Sequence, residues 1–159
     1  MLKYFIRQLR FLLVPGMKQL TEQLKRHEGT NKEYGRHYPY YCSAGKETIG
    51  IGRNIEANGI SDDEAMYLLV NDVCSAREAL ISRYSWVSRI AEARQCAFIN
   101  MVFNMGLGSF SGFRRMLLHA EAGEWEKAAE EAKDSKWYKK DVARWRSEQI
   151  IKQIQTRNW

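Results

Sequence analysis

The chain changes its period once, near Ser61, and this change constrains the fold more than any other feature of the sequence. Between Tyr34 and Ile55, glycines recur at 35, 45, 50 and 52, separated by aromatic and β-branched residues. Such a pattern predicts two or three short antiparallel strands with glycine turns. Ser61-Asp62-Asp63-Glu64 then makes a capping-box pattern, with serine at the N-cap and glutamate three residues later. Ala65, Leu68, Leu69, Val73, Ala76 and Leu80 follow at helical spacing and predict a helix to about residue 81. Beyond it everything reads as helix. Residues 94–105 form a strongly apolar central helix stopped at Gly106, and 113–122 form one ended by Gly123. Residues 125–133 carry Ala128, Ala129 and Ala132 as small packing residues, and 142–155 carry Trp145, Ile150, Ile151 and Ile154. Upstream, 17–27 is a short helix with apolar Met17, Leu20 and Leu24, which Gly29 can close as a C-cap.

The expected fold is therefore α+β. A β-rich lobe at about 30–58 is joined by a linking helix at about 61–81 to a helical lobe at about 82–159. A cleft between the lobes is the expected place for a ligand. Residues 17–159 make one working domain. Residues 1–16 read as an N-terminal extension, a basic amphipathic helix with apolar residues at 2, 5, 6, 9, 12 and 13 among Lys3, Arg7 and Arg10. Two roles fit it, packing on its own domain or contact with an anionic membrane surface. Its apolar run is too short for a membrane span or a signal peptide. Pro15-Gly16 then punctuates the chain.

A net charge of +6 and a pI near 9.3 call for a polyanionic partner or surface. Nucleic acid, anionic membrane and an acidic cell-wall polymer all qualify, but the basic residues are interspersed with 19 acids, which weakens the nucleic-acid reading. Three cysteines, Cys42, Cys74 and Cys96, cannot all pair within one chain, and no zinc spacing is present. The expectation is a reduced protein with no metal and no cofactor. Cys74 and Cys96, set among apolar residues at helical spacing, read as buried core thiols. Cys42 stays open on the sequence alone: a core thiol, half of a disulfide, a metal ligand or a catalytic group.

Glu28 sits at the end of the first helix, where the negative end of the helix dipole favours a protonated carboxyl. That suits a general acid, although a solvated charge beside Arg26 and His27 is the plainer reading. Thr48 opens "TIGIG" and either serves a strand or aims its hydroxyl at a water, while Gly50 and Gly52 let another segment approach closely or relieve crowding. Arg144 and Arg146 are exposed helix charges or a clamp for Glu28. Asn100 and Asn104 share a helix face and require hydrogen-bond partners. Trp137-Tyr138 either stacks on sugar rings or fills a core.

Taken in order, "HEG" at 27–29, "ETIGIGRN" at 47–54, "GISDDEA" at 59–65, "CAFINMVFNMG" at 96–106, "SKWY" at 135–138 and the C-terminal "WRSEQIIKQIQTRNW" resemble the phage lysozymes, or endolysins. The resemblance implies cleavage of the β-1,4 bond between N-acetylmuramic acid and N-acetylglucosamine in peptidoglycan, causing host lysis. The family's pattern of glutamate, then aspartate or cysteine, then five residues, then threonine falls on Glu28, Cys42 and Thr48. This is the variant with cysteine in place of the active-site aspartate. It also implies that Arg146 supports the glutamate and that Asn104, Met105, Lys136 and Trp137 contact substrate, with Asn100 structural. An enzyme of this kind is expected to be a monomer that binds no nucleic acid. It would gather in the host cytoplasm and pass through a separate pore to the periplasmic wall. Two departures stand out. Gly29–Tyr41 supplies thirteen residues where members of the family have fewer, enlarging the hairpin, and position 53 is arginine where the T-even type has histidine. The alternatives are an inactive lysozyme-like module that binds peptidoglycan, and a basic nucleic-acid-binding protein.

Overall fold

The computed structural model describes residue 11 and residues 14–159. The expected N-terminal amphipathic helix lies almost wholly outside the described residues. The chain divides into two compact units, Met1–Leu68 and Leu69–Trp159.

In the first unit, Gly16 takes a left-handed conformation (φ 81°) at the start of helix α1, Met17–His27. Lys25, Arg26 and His27 fill the last turn of α1 and offset its negative end. Glu28 itself stops the helix by turning extended (φ −82°, ψ 138°). The expected glycine cap at Gly29 is thus corrected, because an extended residue at 28 already breaks the ladder. Five short strands follow rather than two or three: β1 Lys32–Glu33, β2 Arg36–His37, β3 Tyr40–Tyr41, β4 Glu47–Ile49 and β5 Arg53–Asn54. β1 and β2 form a separate hairpin turned by Tyr34 and Gly35, both at positive φ. Two successive left-handed residues give the turn that best matches strand twist. This hairpin lies within the thirteen residues Gly29–Tyr41. β3, β4 and β5 make an antiparallel sheet with β4 in the middle. A four-residue helix α2, Ile55–Asn58, follows the sheet, its first turn capped by the Asn54 side chain, which accepts from the Ala57 N–H at 3.0 Å.

Helix α3, Asp62–Arg83, starts as expected. Ser61 N–H and Oγ donate to Glu64 Oε2 at 2.7 and 2.9 Å, and Glu64 N–H returns to Ser61 Oγ at 3.3 Å. The other oxygen of Glu64 meets Arg53 at 3.1 Å, while Arg53 Nε donates to the Gly59 carbonyl at 2.8 Å. Only Ala76 and Leu80 of α3 are buried. Leu68, Leu69 and Val73, expected on the apolar face, are exposed, as is Cys74. The expectation of a buried Cys74 is corrected, because Ala76 and Leu80 define the covered face and Cys74 stands two residues from Ala76, about 200° around the helix.

The second unit holds the apolar core. A short 3₁₀ turn, Ser85–Arg89, leads into α4, Glu92–Phe110, which is broken at Gly106 (φ 76°, ψ 157°) and resumes to its end. Then come α5, Arg114–Glu121; α6, Trp125–Lys133; a π-turn, Trp137–Asp141; and α7, Arg144–Thr156. Gly123 (φ 78°) turns α5 into α6, as expected. Ala128, Ala129 and Ala132 are fully buried, which lets α6 lie close against its neighbours. A row of ring contacts runs Trp86–Phe98–Phe110–Phe113–Trp137, with centroid separations of 5.7 to 6.5 Å. Ile150, Ile151 and Ile154 face this core, but Trp145 is exposed. Cys96, expected inside the core, is half-buried at its edge.

Arg94 is the unexpected core member, only 5% exposed. Its Nε donates to the Ile154 carbonyl at 2.8 Å and its Nη2 to the Gln155 carbonyl at 3.0 Å, and its guanidinium stacks 3.8 Å from the Trp125 ring centre. Burial pulls its pKa down from the ordinary arginine value, yet a guanidinium keeps its charge in proteins. The cation therefore satisfies the last carbonyls of α7 and joins α4, α6 and α7. Arg94→Ala should destabilise this unit by about 3 kcal/mol, because it removes two charge-assisted hydrogen bonds and a desolvated cation–π contact. Urea denaturation followed by circular dichroism measures the difference.

Candidate active site

The middle strand of the first unit gathers the site. Register pairs Thr48 with Tyr40 on one side and with Asn54 on the other. Paired residues share a face of a sheet, so Tyr40, Thr48 and Asn54 form one row. Cys42, two residues beyond Tyr40, belongs to the same face by alternation. These residues line a pocket of about 640 Å³ together with Glu28, Gly29, Thr30, Asn31 and Gly52. Glu28, Cys42 and Thr48, singled out from the sequence, are thus brought together within one unit.

The five residues between Cys42 and Thr48 have a geometric reason. Cys42 N–H donates to the Lys46 carbonyl at 3.0 Å and Gly45 N–H to the Cys42 carbonyl at 2.8 Å, with Gly45 left-handed at φ 69°. This is a three-residue hairpin loop whose last member needs glycine. The loop turns backbone N–H groups toward the Cys42 sulfur. Lys46 N–H and Ala44 N–H, with a smaller contribution from the Thr48 hydroxyl, lower the Cys42 pKa from the ordinary thiol value. They stabilise the thiolate as they would a carboxylate in the same place.

Thr48 is 2% exposed, and its hydroxyl donates to the Lys46 carbonyl at 2.9 Å. The hydroxyl has a single proton, so donation to the Lys46 carbonyl and to the Cys42 sulfur are alternatives, and in either the Thr48 oxygen keeps its capacity to accept. Glu28 stands over the turn at Gly52. A Cβ on Gly52 would lie 2.5 Å from Glu28 Oε2, so a side chain there would displace the Glu28 carboxyl, and the φ of +70° itself favours glycine. The close approach expected at Gly52 is therefore real, and its partner is Glu28. Gly50 has open space and a φ of +68°, so it serves the turn alone.

A second pocket, of about 740 Å³, lies in the other unit. It brings together Asn104, Met105, Lys136 and Trp137, the four residues expected to contact substrate. Trp137 is 5% exposed and donates its indole N–H to Asn104 Oδ1 at 3.0 Å. Its ring fills the core rather than offering a stacking face, and the Asn104 amide N–H₂ is what remains for a ligand. Lys136 pairs with Asp141 at 3.2 Å. Arg144 covers the Tyr138 ring at 4.6 Å and bonds Glu148 at 2.6 Å. Arg146 forks onto Asn100 Oδ1 at 3.2 and 2.6 Å, which gives the helix asparagine its partner.

Sequence reasoning missed Tyr40, Asn54 and Asn31 in the first pocket. The signal for Tyr40 and Asn54 was only the strand register, which a single sequence does not fix, and Asn31, in the loop before β1, carries none. Among the described residues, no cluster of three or more His, Cys, Asp or Glu side chains could hold a metal.

Two likenesses to known proteins accompany this geometry. The profile of a family described as Phage lysozyme matches residues 25–155. The pre-baseplate central spike protein Gp5 of Enterobacteria phage T4 is 31% identical over 159 aligned residues, which cover 82% of this chain and 26% of that protein. The chain thus matches about a quarter of the length of that relative.

The two half-covered thiols should separate by pH. The alkylation rate of Cys42 should rise with a midpoint below the ordinary thiol pKa of about 8.5. Cys96, pushed up by burial and by the Glu92 carboxylate, should rise above it. Iodoacetamide labelling across pH with peptide-resolved mass spectrometry reads both, and a Cys42 midpoint at or above that of Cys96 refutes the assignment.

Proposed function

Because the chain belongs to the phage lysozyme family, we propose that it is a muramidase, hydrolysing the β-1,4 bond between N-acetylmuramic acid and N-acetylglucosamine in bacterial peptidoglycan. The observation that carries this reading is the pocket where the Glu28 carboxyl, the Cys42 thiol and the Thr48 hydroxyl meet. Glycoside hydrolysis ordinarily uses two carboxyl groups, one acid and one base or nucleophile. Glu28 is the single carboxyl group lining this pocket, so the second acidic group is the Cys42 thiol, which the loop amides hold toward its anionic form.

In this mechanism Glu28 gives its proton to the glycosidic oxygen as the bond to the anomeric carbon breaks. The Cys42 thiolate offsets the positive charge that develops on the sugar and takes a proton from the incoming water. Thr48 accepts a hydrogen bond from that water and so orients its lone pair. The water's hydroxyl ends on the anomeric carbon, and solvent returns the Glu28 proton as Cys42 releases its own. Arg146 as a cation supporting Glu28, and Asn104, Met105, Lys136 and Trp137 as sugar contacts, complete the reading on the strength of the family resemblance. The +6 charge suits an acidic wall.

For delivery, the reading is an endolysin that gathers in the host cytoplasm and reaches the periplasmic wall through a pore made by another protein. Similarity to a central spike protein favours a second route, in which the chain travels on the particle and opens the wall at entry. Mass spectrometry of purified virions separates the two, since an endolysin is absent from them and a spike component is stoichiometric.

Glu28→Gln should cut lysis of chloroform-treated Gram-negative cells by at least about a hundredfold, the usual weight of a general acid, with an unchanged circular dichroism spectrum. Full activity of the variant would falsify the mechanism, whereas absence of lysis by the parent chain favours an inactive binding module. Cys42→Asp should retain lysis and Cys42→Ser should lose most of it; a serine variant as active as the parent shows the thiol to be dispensable.

A further inference from the structure

We propose that Tyr40 is the positioning residue for Glu28, an inference that rests on Glu28 being the proton donor. Tyr40 lies on β3, paired across the sheet with Thr48. Its ring reaches the end of α1, where Cε2 lies 3.6 Å from the place a Cβ on Gly29 would take. The hydroxyl donates to the Gly29 carbonyl and accepts from the Gly52 N–H at 3.3 Å.

Those two partners are the backbone segments that define where Glu28 stands. Gly29 follows it in the chain, and Gly52 is the turn directly beneath its carboxylate. One oxygen atom therefore ties the residue's own backbone to the floor its side chain rests on. Helix α1 buries none of its residues, so apolar packing does not fix its end in place. Among the described residues, no other side-chain hydrogen bond joins the 28–29 segment to the 50–52 turn.

Loss of the phenol oxygen should cost little in folding. The Gly29 carbonyl and the Gly52 N–H are exposed and can bond to water instead. Its effect on proton transfer is larger, because a general acid must stand within hydrogen-bond reach of the departing oxygen. A displacement of about 1 Å can cost on the order of a hundredfold in rate. Tyr40 is therefore expected to govern turnover more than affinity or stability.

Tyr40→Phe keeps the ring on Gly29 and removes only the oxygen. On purified peptidoglycan it should lower kcat about tenfold, with KM within about twofold of the parent and little change in melting midpoint. Rates are read well below the lower midpoint, so that partial unfolding does not contribute. Retained kcat overturns the proposal, and so does a kcat loss matched by a rise in KM or a collapse of the midpoint, the pattern of a merely structural tyrosine. Combining the change with Glu28→Asp, whose carboxyl is already withdrawn from its place, should reduce the Tyr40→Phe cost to less than about twofold. An equal cost in both backgrounds means that Tyr40 acts elsewhere. If Glu28→Gln stays active, the functional reading itself fails; if Glu28→Gln is inactive while Tyr40→Phe is fully active, only the role of Tyr40 fails.

Discussion

The missing side chain at Gly52 is the constraint on which the candidate site depends. The Glu28 carboxylate occupies the space a Cβ would need, and the turn beneath it holds a left-handed conformation that other residues resist. Helix α1 ends because Glu28 turns extended, and that same turn delivers the side chain onto residue 52. The strands then fill in around this contact. β4 places Thr48 between Tyr40 and Asn54, and the hairpin loop after β3 sets Cys42 on the same face. Steric fit and short hydrogen bonds do in this unit what an apolar core does elsewhere, since Thr48 is its one fully covered side chain among the described residues.

The second unit works by the opposite means. Five aromatic rings in contact carry order from Trp86 to Trp137, and Trp137 ends the row by fixing the Asn104 amide at the wall of a pocket. A buried cation, Arg94, closes the far end of α7. Rigid packing of this kind holds a few polar groups in place at low entropic cost, which a recognition surface requires. The two units therefore present their polar groups on different foundations, one of turns and one of rings.

Much of this was legible in the chain because glycine and capping residues act locally. Ser61 and Glu64 announced α3, Gly106 and Gly123 announced breaks, and the recurring glycines between Tyr34 and Ile55 announced tight turns. What was hidden depends on partners distant in sequence. Arg94 reads as one more helix charge until the carbonyls of residues 154 and 155 come to it. Cys74, Leu68 and Val73 sit among apolar residues, yet periodicity says only which residues share a face, not whether anything covers it. Tyr40 carries no motif at all. Its place beside Thr48 follows from register, and its hydroxyl partners lie eleven and twelve residues away. The turn between β1 and β2 was hidden for a different reason. Tyr34 is left-handed there (φ 47°), a conformation that a bulky side chain disfavours and that its sequence therefore does not announce.

Glu64 divides its two oxygens between the start of α3 and Arg53 at the end of the sheet. Positions 53 and 64 are for that reason not free to drift separately over evolutionary time. A neutral or shorter residue at 53 leaves the cap intact but removes a counter-charge, whereas a change at 64 removes both the cap and the arginine's partner. The order in which substitutions arrive at this pair therefore matters, and the same arginine can be beneficial in one ancestral background and harmful in another. Epistasis of this local kind would keep the pair of residues together as lineages diverge.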